Sequence, residues 1–520
     1  MNKLRVGVIL PDHMAPAWIR HMLETIKRSD HTEITALAFA DQTSGAGTSV
    51  NRQYELQFNL DKKLFHPTPD PWEISDIRKI LDNTQVIGAN LHERLFRLKS
   101  MRIDLLLNLS FENLPKSLLS VGRFGVWSLR CNNLHVTAGS EIGWLEILNN
   151  IPVIHCDLEI QREDTTHILA GSVIATNLSS ISLNQKSFFW RASNVVPRAF
   201  KKLHIQGEQE FFGLTKPTAL AEKADLPTTA QSTTIAQKQA SQISENKIRR
   251  RITPQPWALM TGKNTGRDSF DWGGLNLKVP PRDVFWADPF LLKKQDKSYI
   301  FFEEYVYKTN LGRIAYALID EQGVIGESQV ALERPYHLSY PFVFEHRGEF
   351  YMIPETAQNR AVEAYRCVRF PDQWELHKTL LPNVQAVDAT IIEHSIHWWM
   401  FVNIAHEGGS TWDELHIYYS DDPLATDWTP HPMNPVVSDV RSARPAGRIF
   451  RRDGGLVRPS QDSSLRYGYA LNLNRITKLT VTEYEEELIE RIVPPNDDIL
   501  AVHTYNSLGD LIVVDALLKK

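Results

Sequence analysis

Cysteine is scarce. Cys131, Cys156 and Cys367 are the three in 520 residues, too few and too scattered for a disulfide framework or a thiolate zinc site. They are expected as reduced, buried thiols. A dominant charge is also missing: 57 Lys and Arg stand against 62 Asp and Glu, a net −5. That balance argues against a nucleic-acid coat or a polybasic membrane surface. Long apolar runs are absent too. The opening MNKLRVGVIL reaches Pro11 and Asp12 after a few apolar residues, shorter than a signal-peptide core and far from the ~20 residues of a transmembrane span. A cytoplasmic location is expected. No GxGxxG follows the first apolar strand, so the dinucleotide fingerprint is missing. No metal-ligand cluster is legible, and no cofactor is indicated with certainty.

What is present divides the chain in two. Leu4–Leu10, Glu33–Phe39 and Ile103–Ser110 read as buried strands, with a helix over Ala17–Arg28 and a further crossover starting at Glu112. Strands alternating with helices imply a doubly wound α/β domain over residues 1–213. From Thr215 to Lys247 no aromatic residue occurs, and Thr, Ala, Ser and Gln dominate. Such a stretch buries little apolar surface, so 214–251 is expected as a flexible linker.

Residues 252–520 have another character. FWADPFLLKKQDKSYIFFEE at Phe285 is a carboxylate beside proline, an apolar strand, a turn and an aromatic strand. The pattern recurs at Tyr340, Asp388 and Arg444, and loosely at His503. Counted from Asp288, the starts are 52, 48 and 56 residues apart. A hairpin recurring about every 50 residues is the mark of a β-propeller, here with five blades.

The innermost strand of each blade begins at the central axis, so the residues opening each repeat converge there. These are Asp288, Tyr340 with His337, Asp388, Arg444 with Arg441, and His503. Buried charges cost several kcal/mol unless paired. A funnel so lined suits a polar ligand, although Asp288 and Asp388 pairing with the arginines to join blades is the structural alternative.

Three resemblances add to this. The layout of Leu4–Leu10, IDLLLNLSFENLPKSLL and GVWSLRCN resembles folate-dependent formyltransferases. That resemblance places Ser128 and Arg130 where the family has a catalytic Asn and His, and Asp164 at its Asp. An always-protonated Arg is no general base, so formyl transfer is not expected of Ser128 and Arg130. His135 and His155, nearby, are expected to be structural. WADPF and VDATIIEHSIHWWMF resemble family-43 glycoside hydrolases, which implies a catalytic base at Asp288 and an auxiliary carboxylate at Asp388. The position of that family's general acid is occupied by RSARPAG, leaving Glu355 and Glu407 as acids outside any matching motif. Finally WADPF, FFEEY, HLSYPFVF, IPET, RPAGRIF, RPSQD, GYALNLN and HTYN, over about residues 257–518, resemble the domain preceding the catalytic domain of plant glucosamine inositolphosphorylceramide transferases.

Arginine in place of an acid suggests a phosphate leaving group, which needs positive charge rather than a proton. Arg441, Arg444, Arg458 and Asp462, with Tyr340, Glu355 and His337 or His503, are the expected ligand-binding set. Asp288 and Asp388 are the expected catalytic pair, and a nucleotide sugar is the possible co-substrate. The leading expectation is glycosyl transfer at the funnel. The alternatives are a non-catalytic sugar-binding module and formyl or acyl transfer to an amino sugar by the first domain.

Overall fold

The structure, a computed structural model, describes residues 3–39, 51–81, 84–87, 91–110, 114–136, 142–161, 166–222, 225–251, 256–263, 269–406 and 408–519. Contacts divide the chain into two units, residues 1–247 with 407–409, and 248–406 with 410–520.

The first unit is built on a mixed sheet. Its strands are β1 (Leu4–Leu10), β2 (Thr32–Phe39), β3 (Gln85–Ile87), β4 (Leu105–Asn108), β5 (Val126–Cys131), β6 (Leu134–His135), β7 (Val153–Gln161), β8 (Thr166–Ala175) and β9 (Lys216–Thr218). Their spatial order is β9-β8-β7-β5-β4-β1-β2-β3, with β6 paired to β5. β3-β2-β1-β4-β5 is parallel throughout, whereas β7 and β8 run antiparallel. Both faces of the parallel part are covered, as parallel sheets require. Val6, Val8 and Leu10 pack with Trp18 and Met22 of the helix Ala17–Arg28, and with Phe188 and Phe200 of the long helix Ile181–Gly213. Ile9, Ala36, Leu106 and Val126 meet Leu98 and Leu118 on the opposite face. The unit is therefore a parallel sheet with helices packed on both faces and an added antiparallel edge.

The expected flexible linker is corrected by the structure. Thr229–Arg251 is one helix. Its Ala, Gln, Lys and Glu residues are good helix formers, and polar contacts replace the missing aromatic packing. Gln239 donates to Asp61 at 2.7 Å, Gln57 to Gln239 at 2.9 Å, and Lys238 to the Leu148 carbonyl at 2.8 Å. Ile235 and Ser232 are fully buried. Among the described residues, no helix is long and apolar enough to cross a membrane.

The second unit is a five-bladed propeller. Three blades are four-stranded meanders, Val284–Leu332, Ser339–Pro382 and Ala386–Pro430, and a fourth spans Phe450–Ile492. The fifth is composite. Trp257–Lys263, from the start of the unit, pairs antiparallel with Leu511–Leu518, from its end, in register from Trp257↔Leu517 to Lys263↔Leu511. This pairing ties the two ends of the unit together. It also explains why the fifth repeat is loose in sequence: its strands are not contiguous.

The innermost strands share one irregularity. Asp288, Tyr340 and Asp388 have φ of 52°, 45° and 57°. Each sits in a register break, between Ala287 and Phe290, Ser339 and Phe342, and Val387 and Thr390. A residue in the left-handed region at a bulge re-aims a side chain out of the strand's alternation. Gly447, with φ 128°, holds the corresponding place before the fourth blade. A Cβ there would overlap the Tyr505 carbonyl oxygen, where Tyr505 N–H donates to Ala446 O at 2.8 Å. Gly447→Ala is expected to cost about 3 kcal/mol or more through strain and lost contact between blades. A urea midpoint lowered without a change in slope is the check.

Candidate functional site

The bulges bring a cluster of acids to the propeller axis. Asp288 begins it. Its Oδ1 accepts from Thr504 Oγ1 at 2.8 Å and lies 3.5 Å from His503 Nε2. His503 Nδ1 is 2.6 Å from Asp515 Oδ2. Asp515 also accepts backbone N–H groups from Asp288, His503 and Thr504, at 3.0, 2.9 and 3.0 Å. The carboxylate of Asp515 thus fixes both the imidazole and the strand carrying Asp288. Ligand atoms of Asp288, His503 and Asp515 lie within 4.8 Å of one another. With Asp515 engaged by three N–H groups, they read as a carboxylate–imidazole–carboxylate relay.

Across the axis, Arg444 Nε donates to Asp388 Oδ2 at 2.5 Å, and Gln461 Nε2 reaches the same oxygen at 3.4 Å. Arg444 Nη2 is 3.7 Å from Glu355 Oε2, and its guanidinium lies over the Tyr467 ring at 5.0 Å. Glu303 and His337 complete the set, His337 Nε2 being 3.5 Å from Glu303 Oε1. Gly312 N–H donates to His337 Nδ1 at 2.9 Å, which places that ring's proton on Nε2.

Charge decides what these groups do. Burial, with Asp388 and Asp515 adding to it, pushes Asp288 up to about 6 against the pull of His503 and Thr504. Burial also drives Glu355 well above the carboxylate range, and the neighbouring Asp388 adds to this. Glu303 is raised well above that range by burial and by the surrounding acids. Burial opposes charge on Arg444, yet Asp388, Tyr467 and Glu355 outweigh it and hold the guanidinium more firmly protonated. His503 is likewise raised by Asp515 and Asp288 in spite of burial. Burial thus favours the protonated form of Glu303 and of Glu355. Glu355 makes a side-chain hydrogen bond with Asp388, whose Oδ1 is buried and otherwise lacks a partner.

Of the expected site residues, Asp288, Asp388, Glu355, Arg444, His337 and His503 meet at the axis. Tyr340 also lies there, but as a tie: it accepts from Gly447 N–H at 2.6 Å and shares a 3.0 Å contact with Thr390 Oγ1. The other expected residues are placed elsewhere. Exposed Arg441 pairs with Asp439 at 2.6 Å, Asp462 with Arg491 at 2.6 Å, and Arg458 with Glu486 at 2.6 Å. Strand alternation and the length of the 438–444 turn turn these three away from Asp388. The expected cluster of free arginines is thus replaced by one guanidinium, already paired. Arg444, the arginine beside the acids, is already committed to Asp388 and Glu355.

Sequence reasoning missed Glu303, Gln461, Tyr467, Thr504 and Asp515. Asp515 left a signal, an acid inside the apolar strand LIVVDALL, and Glu303 lay in FFEE. Its neighbour Glu304 faces the other way and pairs with Arg313 at 2.7 Å. In the first unit, Arg130 donates to the Asn132 and Ala219 carbonyls at 2.8 and 2.9 Å and lies 3.4 Å from Glu159. It is a buried structural tie. Ser128 makes a side-chain hydrogen bond with Glu159, and burial lowers His135. Asp164 and Glu407 lie outside the described residues. No formyl-transfer site is assembled among the described residues.

The family model "Glucosamine inositolphosphorylceramide transferase 1, N-terminal" matches residues 278–497. Glucosamine inositolphosphorylceramide transferase 1 of Oryza sativa subsp. japonica is 38% identical over 206 residues, covering 39% of this chain and 27% of that protein. The Arabidopsis thaliana protein of the same name is 39% identical over the same shares. The match therefore spans about a quarter of these relatives. Among solved structures, Zg3597, a family 117 glycoside hydrolase of Zobellia galactanivorans, has a TM-score of 0.35 at 12% identity, over 51% of this chain and 91% of that one. Cellvibrio cellulosa α-L-arabinanase gives 0.34 at 18%, over 45% and 87%. At these scores the likeness carries no argument, and the five blades rest on the strand pairing itself.

Arg444→Met leaves Asp388 buried without its cation and is expected to lower stability at pH 7 by about 3–5 kcal/mol. Asp388→Asn in the same chain removes the stranded charge. Chemical denaturation should show the double variant more stable than Arg444→Met alone.

Proposed function

We propose that the propeller is a carbohydrate-active transferase centre that moves a glycosyl group by acid–base chemistry at its axis. The observation that carries this is a carboxyl held near pH 6, Asp288, in one buried cluster with the protonated acid Glu355. Environments that push two carboxyls to different proton affinities separate a base from an acid. In the step, the oxygen of an acceptor hydroxyl attacks the anomeric carbon of a bound glycoside and its proton passes to Asp288. The glycosidic C–O bond breaks, and the Glu355 proton goes to the departing oxygen. Asp288 then releases its proton to solvent and Glu355 takes one up. Water as acceptor makes the same step hydrolysis. Asp515 and His503 hold Asp288 in place, while Arg444 and Asp388 hold Glu355.

A glycoside donor suits this axis better than a nucleotide sugar. Arg444 is already paired with Asp388, so it offers a diphosphate no free cation beside the acids. The relatives named for glucosamine inositolphosphorylceramide transfer support a glycosyl-transfer role in general terms. A second reading has its own support. The matching family model is an N-terminal segment of those proteins, so the funnel could serve recognition alone.

The two are separated by turnover of aryl and alkyl glycosides with an added alcohol acceptor. Catalysis predicts transfer products that vanish in Asp288→Asn. Glu355→Gln should spare nitrophenyl glycosides more than alkyl ones, since nitrophenolate departs without a proton. Sugar binding with no turnover of any glycoside would leave the recognition reading.

The same residue makes a stability prediction. Asp288 is raised from 3.8 to about 6 on folding, so the folded state binds its proton more tightly than the unfolded one. The stabilisation is complete below about 3.8 and is lost as pH rises through 6. Asp288→Asn, which also tolerates the positive φ, should therefore raise the melting temperature at pH 7.5. The gain, at most roughly 3 kcal/mol for a shift of about two pH units, should fade between pH 6 and 4.

A further inference from the structure

Two buried arginines of the propeller answer carboxylates, Arg444 that of Asp388 and Arg458 that of Glu486. Arg448 does not. It follows Gly447, one residue past the level of Asp288, Tyr340 and Asp388, and is half-buried. Its side chain leaves the fourth blade for the second. Nη2 donates to the Val343 carbonyl, and the guanidinium lies over the Phe342 ring at 4.7 Å. The third blade stands between those two in the ring, so the arginine crosses the central channel. The Tyr340 hydroxyl crosses it likewise in reaching Gly447. Phe290 packs edge-on against both Tyr340 and Phe342 there, which makes the surroundings aromatic. Arg448 Nε and Nη1 make no hydrogen bond among the described residues, yet neither is sealed from solvent. Burial pulls the guanidinium down to about 10, and Tyr340, with no carboxylate among the described residues, opposes it.

We infer that the central channel, one residue past the axial acids, is a binding site for a small monovalent anion of chloride or nitrate size, held by the unspent donors of Arg448. A charge taken out of water without a counterion is costly, and charge-assisted hydrogen bonds to an anion offset that cost. Nη2 is spent on Val343, which leaves Nε and Nη1 to make them. Valence follows from the count of charges. One guanidinium neutralises one negative charge, so sulfate would bring an uncompensated charge among Phe290, Phe342 and Tyr340, where apolar surroundings penalise it. The structural alternative is that Arg448 only ties the second and fourth blades together. A tie needs no anion, and that separates the two. The site does not depend on the axial reading.

The test is the chloride NMR line width of the full chain in sodium chloride, with ionic strength held constant by sodium gluconate. The protein should add broadening that saturates as chloride rises. Nitrate should remove it, and sulfate at the same ionic strength should not. Arg448→Met should lose the saturable part, whereas Arg448→Lys, which keeps a cation, should retain it at weaker affinity. Chloride at about ten times its dissociation constant should also raise the propeller's melting midpoint by about 4 °C. If Arg448→Met does not fold, the anion series on the unmodified chain still decides. Broadening that grows with chloride without saturating, that sulfate removes as well as nitrate does, or that survives in folded Arg448→Met overturns the inference and leaves Arg448 a tie between blades.

Discussion

Five carboxyl groups around a single buried guanidinium set the terms for the propeller. Arg444 cannot release its proton, so its charge at the axis is fixed. Asp388 answers that charge directly, and each further acid must be neutral or held by donors. Asp515 is held by backbone N–H groups, Glu303 and Glu355 by keeping their protons, and Asp288 by a threonine and an imidazole that only partly offset its burial. Uneven treatment of like groups is what makes an acid and a base from the same chemistry. The stability lost in keeping Asp288 ionised is the strain expected of a working site rather than of a core.

The architecture serves that arrangement. A bulge at the same point of three innermost strands turns Asp288, Tyr340 and Asp388 out of ordinary alternation, and Gly447 lets the fourth blade approach the fifth. Tyr340 then joins the second, third and fourth blades through its hydroxyl, with Thr390 and Gly447 as partners. The fifth blade joins the two ends of the unit, so the strand carrying Asp515 is fixed on both sides.

Charged groups at the axis and beside the fourth blade differ in electrostatic character. At the axis, charges are buried and their proton affinities are displaced, which suits bond-making and bond-breaking. In the cleft beside the fourth blade, guanidinium–carboxylate pairs stand near solvent. Arg441 and Asp462 were expected at the first place and stand at the second. Two residues separate Arg441 from Arg444, and a turn between them is enough to send one to the cleft and the other to Asp388.

The amino-acid sequence by itself determined the period of about 50 residues, the hairpins and the presence of Asp288 and Asp388 at the openings of their blades. Local alternation and turn chemistry carry that information over short distances, so it can be read from the chain. The helix Thr229–Arg251 was not legible, because its stability comes from Asp61, Gln57 and Leu148, distant in sequence. Tertiary structure alone decided that Glu303 faces the axis while Glu304 does not, that Asp515 clamps His503, and that one arginine of three reaches the acids. A carboxyl's proton affinity is set by burial and by neighbours up to 227 residues away, as with Asp288 and Asp515, and no local pattern encodes either.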